Sequence, residues 1–339
     1  MKPITENIIE QSAIEILQGL GWAYVNGKEI SPEGVFCERE SFGQIVLVNR
    51  LRDAIARINP NIPLDAQEAA IQKVLRIASP DLLHNNELFH KELVEKVKIP
   101  YQQNGYERSH EVALIDFENA ANNQFLVVNQ FTIIENNQHK RPDVLLFVNG
   151  LPLVIMELKN AASDNASITS AYQQLQTYKA TIPSLFTYNA ICIVSDGLEC
   201  KAGSVSADLS RYMTWKTADG IKEASRFKPQ LETLLKGMLQ PVTLLDLVRN
   251  FIVFEKTKKE DLKTGLIQIQ TVKKLAAYHQ YYAVNKAVES TIRASGFPLS
   301  SAFLPPAVSR PSSVLLPSLE GSGVGTFRRK IIPYNPKLT

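Results

Sequence analysis

Two carboxylates and a lysine sit in RPDVLLFVNGLPLVIMELKN, residues 141–160: Asp143 near the start, Glu157 and Lys159 near the end. The apolar runs between them read as buried strands, where a charge costs desolvation energy unless something compensates it. Asn149-Gly150 interrupts the run, and Asn-Gly between apolar stretches is a strong hairpin signal. Asp143 lies six positions before that turn and Glu157 seven after it, so folding brings both to one end of adjacent antiparallel strands. Side chains alternate faces along a strand, so Glu157 and Lys159 share a face while Leu158 points the other way. Two carboxylates at one point suit Mg²⁺, which takes one or two protein carboxylates and completes its shell with water and phosphate. A lysine on that face can orient or deprotonate a water, or stabilise charge growing on a phosphoryl group. Together these groups are equipment for phosphodiester hydrolysis. A Glu-x-Lys at the end of a strand also commonly marks where the strand meets solvent, and that reading stands beside the chemical one.

Downstream, SAYQQLQTYKA reads as a helix with Gln174 and Tyr178 one turn apart on a single face. An amide and a phenol there suit a DNA phosphate or the placement of a catalytic lysine; a solvated polar face is the plainer reading.

The elements that must position these residues follow from periodicity. Residues 5–20, about 65–78 (capped by Asp65) and about 86–97 read as helices. From residue 110, HEVALIDF, NQFLVVNQFTII, PDVLLFV and LPLVIMELK read as strands, and NAICIVSD forms another that ends at Gly197. Helices are expected again across 229–295. The last segment, 296–339, holds seven of the chain's 18 prolines and one acidic residue, Glu320, which favours irregular structure.

Bulk composition excludes little. The chain has 339 residues, 45% of them hydrophobic and 21% charged, with 37 basic against 34 acidic side chains. A net charge of +3 neither demands nor forbids a nucleic-acid partner, so that reading must rest on local chemistry. The apolar runs are too short to cross a bilayer, and the N-terminus lacks the apolar core of a signal peptide. Cys37, Cys192 and Cys200 lack zinc spacing and cannot all pair, and the five histidines show no ligand spacing. A reducing cytoplasm is the expected location.

Asp143, Glu157-Leu158-Lys159 and Gln174-x-x-x-Tyr178 resemble the PD-(D/E)xK nuclease signature followed by the QxxxY motif of its RecB-like branch. With LIDFENAANNQFLVVNQFT, IVSDG, LLDLVRNFIVFEK and YHQYYAVNKAV in order, the chain is similar over about residues 5–293 to the N-terminal part of the R subunit of type I restriction-modification enzymes. The resemblance implies an α/β PD-(D/E)xK fold, a mixed sheet flanked by helices, with a C-terminal helical extension. Residues 1–240 would be the endonuclease domain, 241–295 a helical linker opening a helicase-like motor, and 296–339 a tail foreign to the family. Asp143 and Glu157 would bind Mg²⁺, joined in some members of the superfamily by a helical acid such as Glu10, for which a surface helix carboxylate is the preferred reading. Lys159 would serve the attacking water, Gln174 and Tyr178 would support DNA positioning, and Gln280 would read an adenine edge.

The implied activity is that of a type I site-specific deoxyribonuclease acting on double-stranded DNA, partnered by methyltransferase (M) and specificity (S) subunits. ATP and S-adenosylmethionine would serve only the full assembly. A phosphate-binding GxxxxGK[ST] loop should follow Gln280, but no Gly-Lys-Ser/Thr occurs, and GSGVGT at 321–326 lacks the lysine. ATP hydrolysis is therefore not expected of this chain, which reads as an N-terminal R-subunit piece with a foreign or out-of-frame end. The alternatives are another nuclease of the same superfamily, or a non-catalytic module that docks DNA or partner subunits.

Overall fold

The computed structural model describes residues 6–160, 167–225, 229–260 and 267–295. Its centre is a six-stranded mixed sheet: β1 (Ala23–Asn26), β4 (Phe125–Asn129), β7 (Val144–Val148), β8 (Leu151–Leu158), β9 (Ile191–Ser195) and β10 (Cys200–Gly203), in that spatial order. β1 runs parallel to β4 and β8 parallel to β9, while the other neighbours are antiparallel. Every residue of β4, β7, β8 and β9 is buried, which is why these segments read as unbroken apolar runs rather than alternating ones. α1 (Glu6–Gly19) packs against β8 and β1, and α5 (Ile168–Thr181) packs against β8 and β9. Thus the fold is the expected mixed α/β, with a central sheet flanked by helices.

The Asn-Gly hairpin forms as expected, with Asn149 at φ 52° and Gly150 at φ 80°, the left-handed pair of a type I′ turn. A side chain at Gly150 would also strike the Leu47 carbonyl at 2.4 Å, so glycine is required there twice over. Asn149 is fully buried: its amide donates to Leu114 O at 3.0 Å and Asn123 Oδ1 at 2.8 Å, and accepts from Gln124 N–H at 2.8 Å. The unequal spacing of Asp143 and Glu157 from the turn is absorbed by a bulge. Leu146 pairs with Val154 but Phe147 pairs with Pro152, leaving Leu153 as the extra residue. Its carbonyl instead accepts from Ala190 N–H at 2.7 Å, tying the bulge to the start of β9.

Several expected boundaries move. The helices are α2 (Val48–Ile58), α3 (Leu64–Leu75) and α4 (Leu82–Glu95). Asp65 lies inside the first turn of α3, after Pro63, and does not cap it; the side-chain cap belongs to α4, where Asp81 accepts from Leu83 and His84 N–H. HEVALIDF is strand only to Val112, because it forms the second arm of a hairpin, β2 (Val97–Gln103) with β3 (Tyr106–Val112). NQFLVVNQFTII breaks at Gln130, whose φ of 54° ends β4 and redirects the chain into a hairpin of β5 (Ile133–Glu135) and β6 (Gln138–Lys140).

The span 229–295 is not all helical. α6 (Pro183–Thr187), α7 (Gln230–Met238), α8 (Pro241–Asn250) and α9 (Tyr278–Ala294) complete the helices, but a ribbon of β11 (Ile252–Glu260) and β12 (Ile267–Leu275) separates α8 from α9. Trp22 Nε1 donates to Leu239 O at 2.9 Å, joining α1 to the end of α7. Tyr281 of α9 is fully buried against Trp215, Phe251 and Tyr282. The proline-rich end, 296–339, lies outside the described residues.

Candidate functional site

The hairpin register sets the site. Val144 pairs with Met156, so one step further Asp143 stands opposite Glu157 and on the same face. Asp143 Oδ2 accepts from Leu158 N–H at 2.7 Å, which fixes the aspartate across the strand pair. Lys159 N–H donates to Ser195 O at 2.8 Å, extending the β8–β9 pairing past the end of β8. The three expected residues are therefore brought together by backbone geometry, at the end of two buried strands.

Their side chains form one electrostatic unit. Lys159 Nζ donates to Glu157 Oε1 at 2.6 Å and to Glu6 Oε1 at 3.0 Å. The Glu157 side chain is 2% exposed against 25% for Lys159, so the carboxylate is the deep member of the pair. Glu157 Oε2 is buried and, among the described residues, makes no hydrogen bond of full geometry, although the Tyr178 hydroxyl also acts on this carboxylate. Burial, and then the Asp143 charge, push Glu157 upward against the pull of Lys159. Asp143 also rises through burial, opposed by its bond from Leu158 and by Lys159. Burial works to lower Lys159, but the Glu157 and Glu6 carboxylates outweigh it and hold the ammonium firmly protonated. A second positive charge beside Asp143 and Glu157 would relieve both carboxylates and satisfy the unpartnered oxygen.

Two acids on α1 face this centre. Glu6 and Glu10 stand one turn apart, on one helix face. The expected surface position of Glu10 is corrected here: the residue is only 6% exposed. Glu10 Oε1 accepts from Asn129 Nδ2 at 2.6 Å, and Asn129 Oδ1 accepts from Tyr24 OH at 3.0 Å. Both α1 acids add to the upward pressure on Asp143. Among the described residues, no three carboxylate, imidazole or thiol groups converge as a complete metal cage; Asp143 and Glu157 are a two-carboxylate site. Glu6, Asn129 and Tyr24 were not singled out from sequence. Glu6 has a legible signal in its i, i+4 spacing from Glu10, but the other two are set by the parallel pairing of β1 with β4.

Tyr178 is buried, and its hydroxyl donates to Arg141 O at 3.4 Å, linking α5 to the residue two before Asp143. Burial, and then the nearby Glu157 charge, raise the phenol, while Gln174 one turn earlier acts on the same hydroxyl in the opposite sense. Gln280 lies elsewhere in the fold, at the start of α9, where Oε1 accepts from Ala277 N–H at 2.9 Å and serves as a helix cap. The three cysteines are free, Cys37 exposed and the other two buried, and among the described residues no helix is long and apolar enough to cross a membrane.

This mixed sheet, with an acidic pair and a lysine at the end of a hairpin, places the chain in a class of α/β proteins compatible with a nuclease fold. A family profile described as "Type I restriction enzyme R protein N terminus" matches residues 3–211, and the chain belongs to that family. It is 42% identical over 296 residues to the type I restriction enzyme HindI endonuclease subunit of Haemophilus influenzae, covering 86% of this chain and 27% of that protein. A Methanocaldococcus jannaschii protein provisionally named the type I restriction enzyme MjaIXP endonuclease subunit is 33% identical over 305 residues, 84% of this chain and 28% of its own. The Staphylococcus aureus (strain COL) SauCOLORF180P endonuclease subunit is 24% identical over 196 residues, 57% of this chain and 20% of its own. The chain thus spans about a quarter of the length of these relatives.

Proposed function

We propose that this chain is the Mg²⁺-dependent, PD-(D/E)xK-type endonuclease portion of a type I restriction R subunit, cutting double-stranded DNA. The observation that carries this reading is the meeting of Asp143 and Glu157 across the hairpin, with Lys159 on the Glu157 carboxylate. Asp143 and Glu157 would hold the cation, and the free Oε2 of Glu157 is the atom best placed to accept it. When bound, the ion supplies positive charge to the phosphate and acidity to nearby water.

Within the protein, Leu158 N–H orients Asp143, and Lys159 presents a protonated ammonium to charge that develops on the phosphoryl oxygens. Tyr178 holds the segment leading into Asp143 through the Arg141 carbonyl, with Gln174 acting on the same hydroxyl. In the whole enzyme, cutting would follow ATP-driven translocation by a motor domain, with site recognition supplied by methyltransferase and specificity subunits in the cytoplasm. Gln280 would meet the nucleotide only with that motor present.

Calorimetric titration of this chain with Mn²⁺ tests the reading. Binding that Asp143→Ala abolishes is expected; no binding by the wild-type chain would favour a non-catalytic docking module instead.

A further inference from the structure

An acidic cluster repels the substrate a nuclease needs. Glu6, Glu10, Asp143 and Glu157 bear on one centre with only Lys159 against them, and a chain-wide charge of +3 supplies little attraction from elsewhere. Phosphate must therefore be drawn in by a local positive surface. One lies close to the site along the chain. A cleft of about 310 Å³ is lined by Thr132, His139, Lys140 and Arg141. It leads along the chain into Asp143, two residues beyond Arg141 and thus within about 7 Å of it by Cα spacing.

The cleft has a rigid mount. β5 and β6 join through Asn136-Asn137, both left-handed at φ 49° and 61°, the geometry of a tight type I′ turn. The buried Arg39 guanidinium lies 3.8 Å from the Phe131 ring centroid and donates to Thr132 O at 3.0 Å and Phe42 O at 2.7 Å. Ile134 N–H donates to Phe42 O at 3.2 Å from the same side. Glu135, the hairpin's one acid, is turned away: its Oε2 accepts from Ser184 Oγ at 2.6 Å and Ser184 N–H at 3.2 Å. Lys140 is half-buried and Arg141 exposed, and among the described residues neither has a carboxylate partner. Two unneutralised cations on a braced strand are poorly explained as stability elements.

We propose that His139, Lys140 and Arg141 form a docking track for the phosphate backbone of duplex DNA, feeding the strand to be cut toward Asp143. This rests on the nuclease reading and names the surface by which that site would gain its substrate. His139, Lys140 and Arg141 line one cleft, so they can act on the same stretch of phosphate backbone. Contacts of this kind position without reading sequence.

The test uses this chain with a fluorescein-labelled DNA duplex of about 20 base pairs, in EDTA to suppress cleavage. Anisotropy is followed across a salt series for wild type, Lys140→Gln/Arg141→Gln, the charge-keeping Lys140→Arg/Arg141→Lys, and Lys236→Gln as a remote control. Mn²⁺ calorimetry on the same proteins reports the carboxylates independently. The Gln pair is expected to weaken binding about tenfold, on every duplex sequence, and to reduce the salt slope by about 2. The charge-keeping pair should bind nearly as wild type, with Mn²⁺ binding unchanged in both. Three results would overturn the track: no binding by wild type, an unaltered slope in the Gln pair, or an equal loss from Lys236→Gln. Absent Mn²⁺ binding with the DNA loss intact would remove the nuclease reading and leave the track standing.

Discussion

Two places in this molecule bury charge, and they do so in opposite ways. At the carboxylate site, several ionisable groups crowd together: Glu157 sits beneath Lys159 with one oxygen unpartnered, and Asp143 lies beside them. At the root of the β11–β12 ribbon a single ammonium is buried instead. Lys273 is 2% exposed and donates to Asn86 Oδ1 at 2.8 Å and Asn189 O at 2.7 Å, both neutral acceptors. Asn86 in turn donates to the carbonyls of Phe186 and Asn189 at 2.7 Å, and Ser204 Oγ closes on Lys273 O. This second place sets its charge against fixed neutral acceptors and knits α4, α6 and the ribbon together. The first is under-satisfied and sits at the end of its strands. A buried charge held by neutral acceptors from several elements is structural, whereas a crowded one left short of partners is poised for a ligand.

The widest separation should come from Lys159→Ala in a full-length R subunit. Cutting is expected to fall by several orders of magnitude while translocation-coupled ATP hydrolysis persists, each measured on the same preparation; loss of both would make Lys159 structural. At the second place, Asn86→Leu should cost about 3 kcal/mol in urea unfolding, because three backbone carbonyls lose a donor and the Lys273 ammonium loses one of its two acceptors.

Titration sharpens the contrast. Burial pushes Lys273 down to about 7 from an ordinary 10.5. Between those values the unfolded chain holds a proton that the folded chain has released, so the lysine's contribution to stability rises with pH across that window, by up to about 1.4 kcal/mol per unit. Below about pH 7 both states are protonated and the burial penalty is felt in full. Lys273→Met should flatten this rise, read as the difference between wild-type and variant unfolding curves at pH 7 and pH 9. The carboxylates have the reverse sign. Asp143 and Glu157 are both raised, so the folded state keeps protons the unfolded state loses, and stability falls as pH climbs from the acid range. Asp143→Asn keeps the bond from Leu158 and removes the repulsion. It should stabilise the metal-free protein by about 1 kcal/mol at neutral pH, with the gain gone in acid where the wild-type carboxyls are protonated.

The sequence revealed these two places unequally. Asp143, Glu157 and Lys159 were legible because an Asn-Gly turn and a two-residue alternation are local rules, and both hold here. Lys273 was not, since its partners come from residues 86 and 189 and no local pattern links them. The ribbon was read as helix because its lysines suit either state and the pairing of its two strands is a contact that no local pattern shows. Glu10 was taken for a surface residue, since an isolated helix cannot reveal that Asn129 waits on a neighbouring strand. Strand existence was recovered better than strand ends, which Gln130 and the β2–β3 pairing decide.

Leu153 is one residue of slack in this arm. It stands outside the ladder, so from the turn to the carboxylates one arm runs Leu151–Glu157 and the other Asp143–Val148, a residue shorter. Deleting Leu153 alone would close the bulge and leave Asp143 opposite Glu157, because the pairs on either side of it, Phe147 with Pro152 and Leu146 with Val154, are already in step. A second loss between the turn and Glu157 would have no such reserve, and would bring Leu158 opposite Asp143 in place of the glutamate.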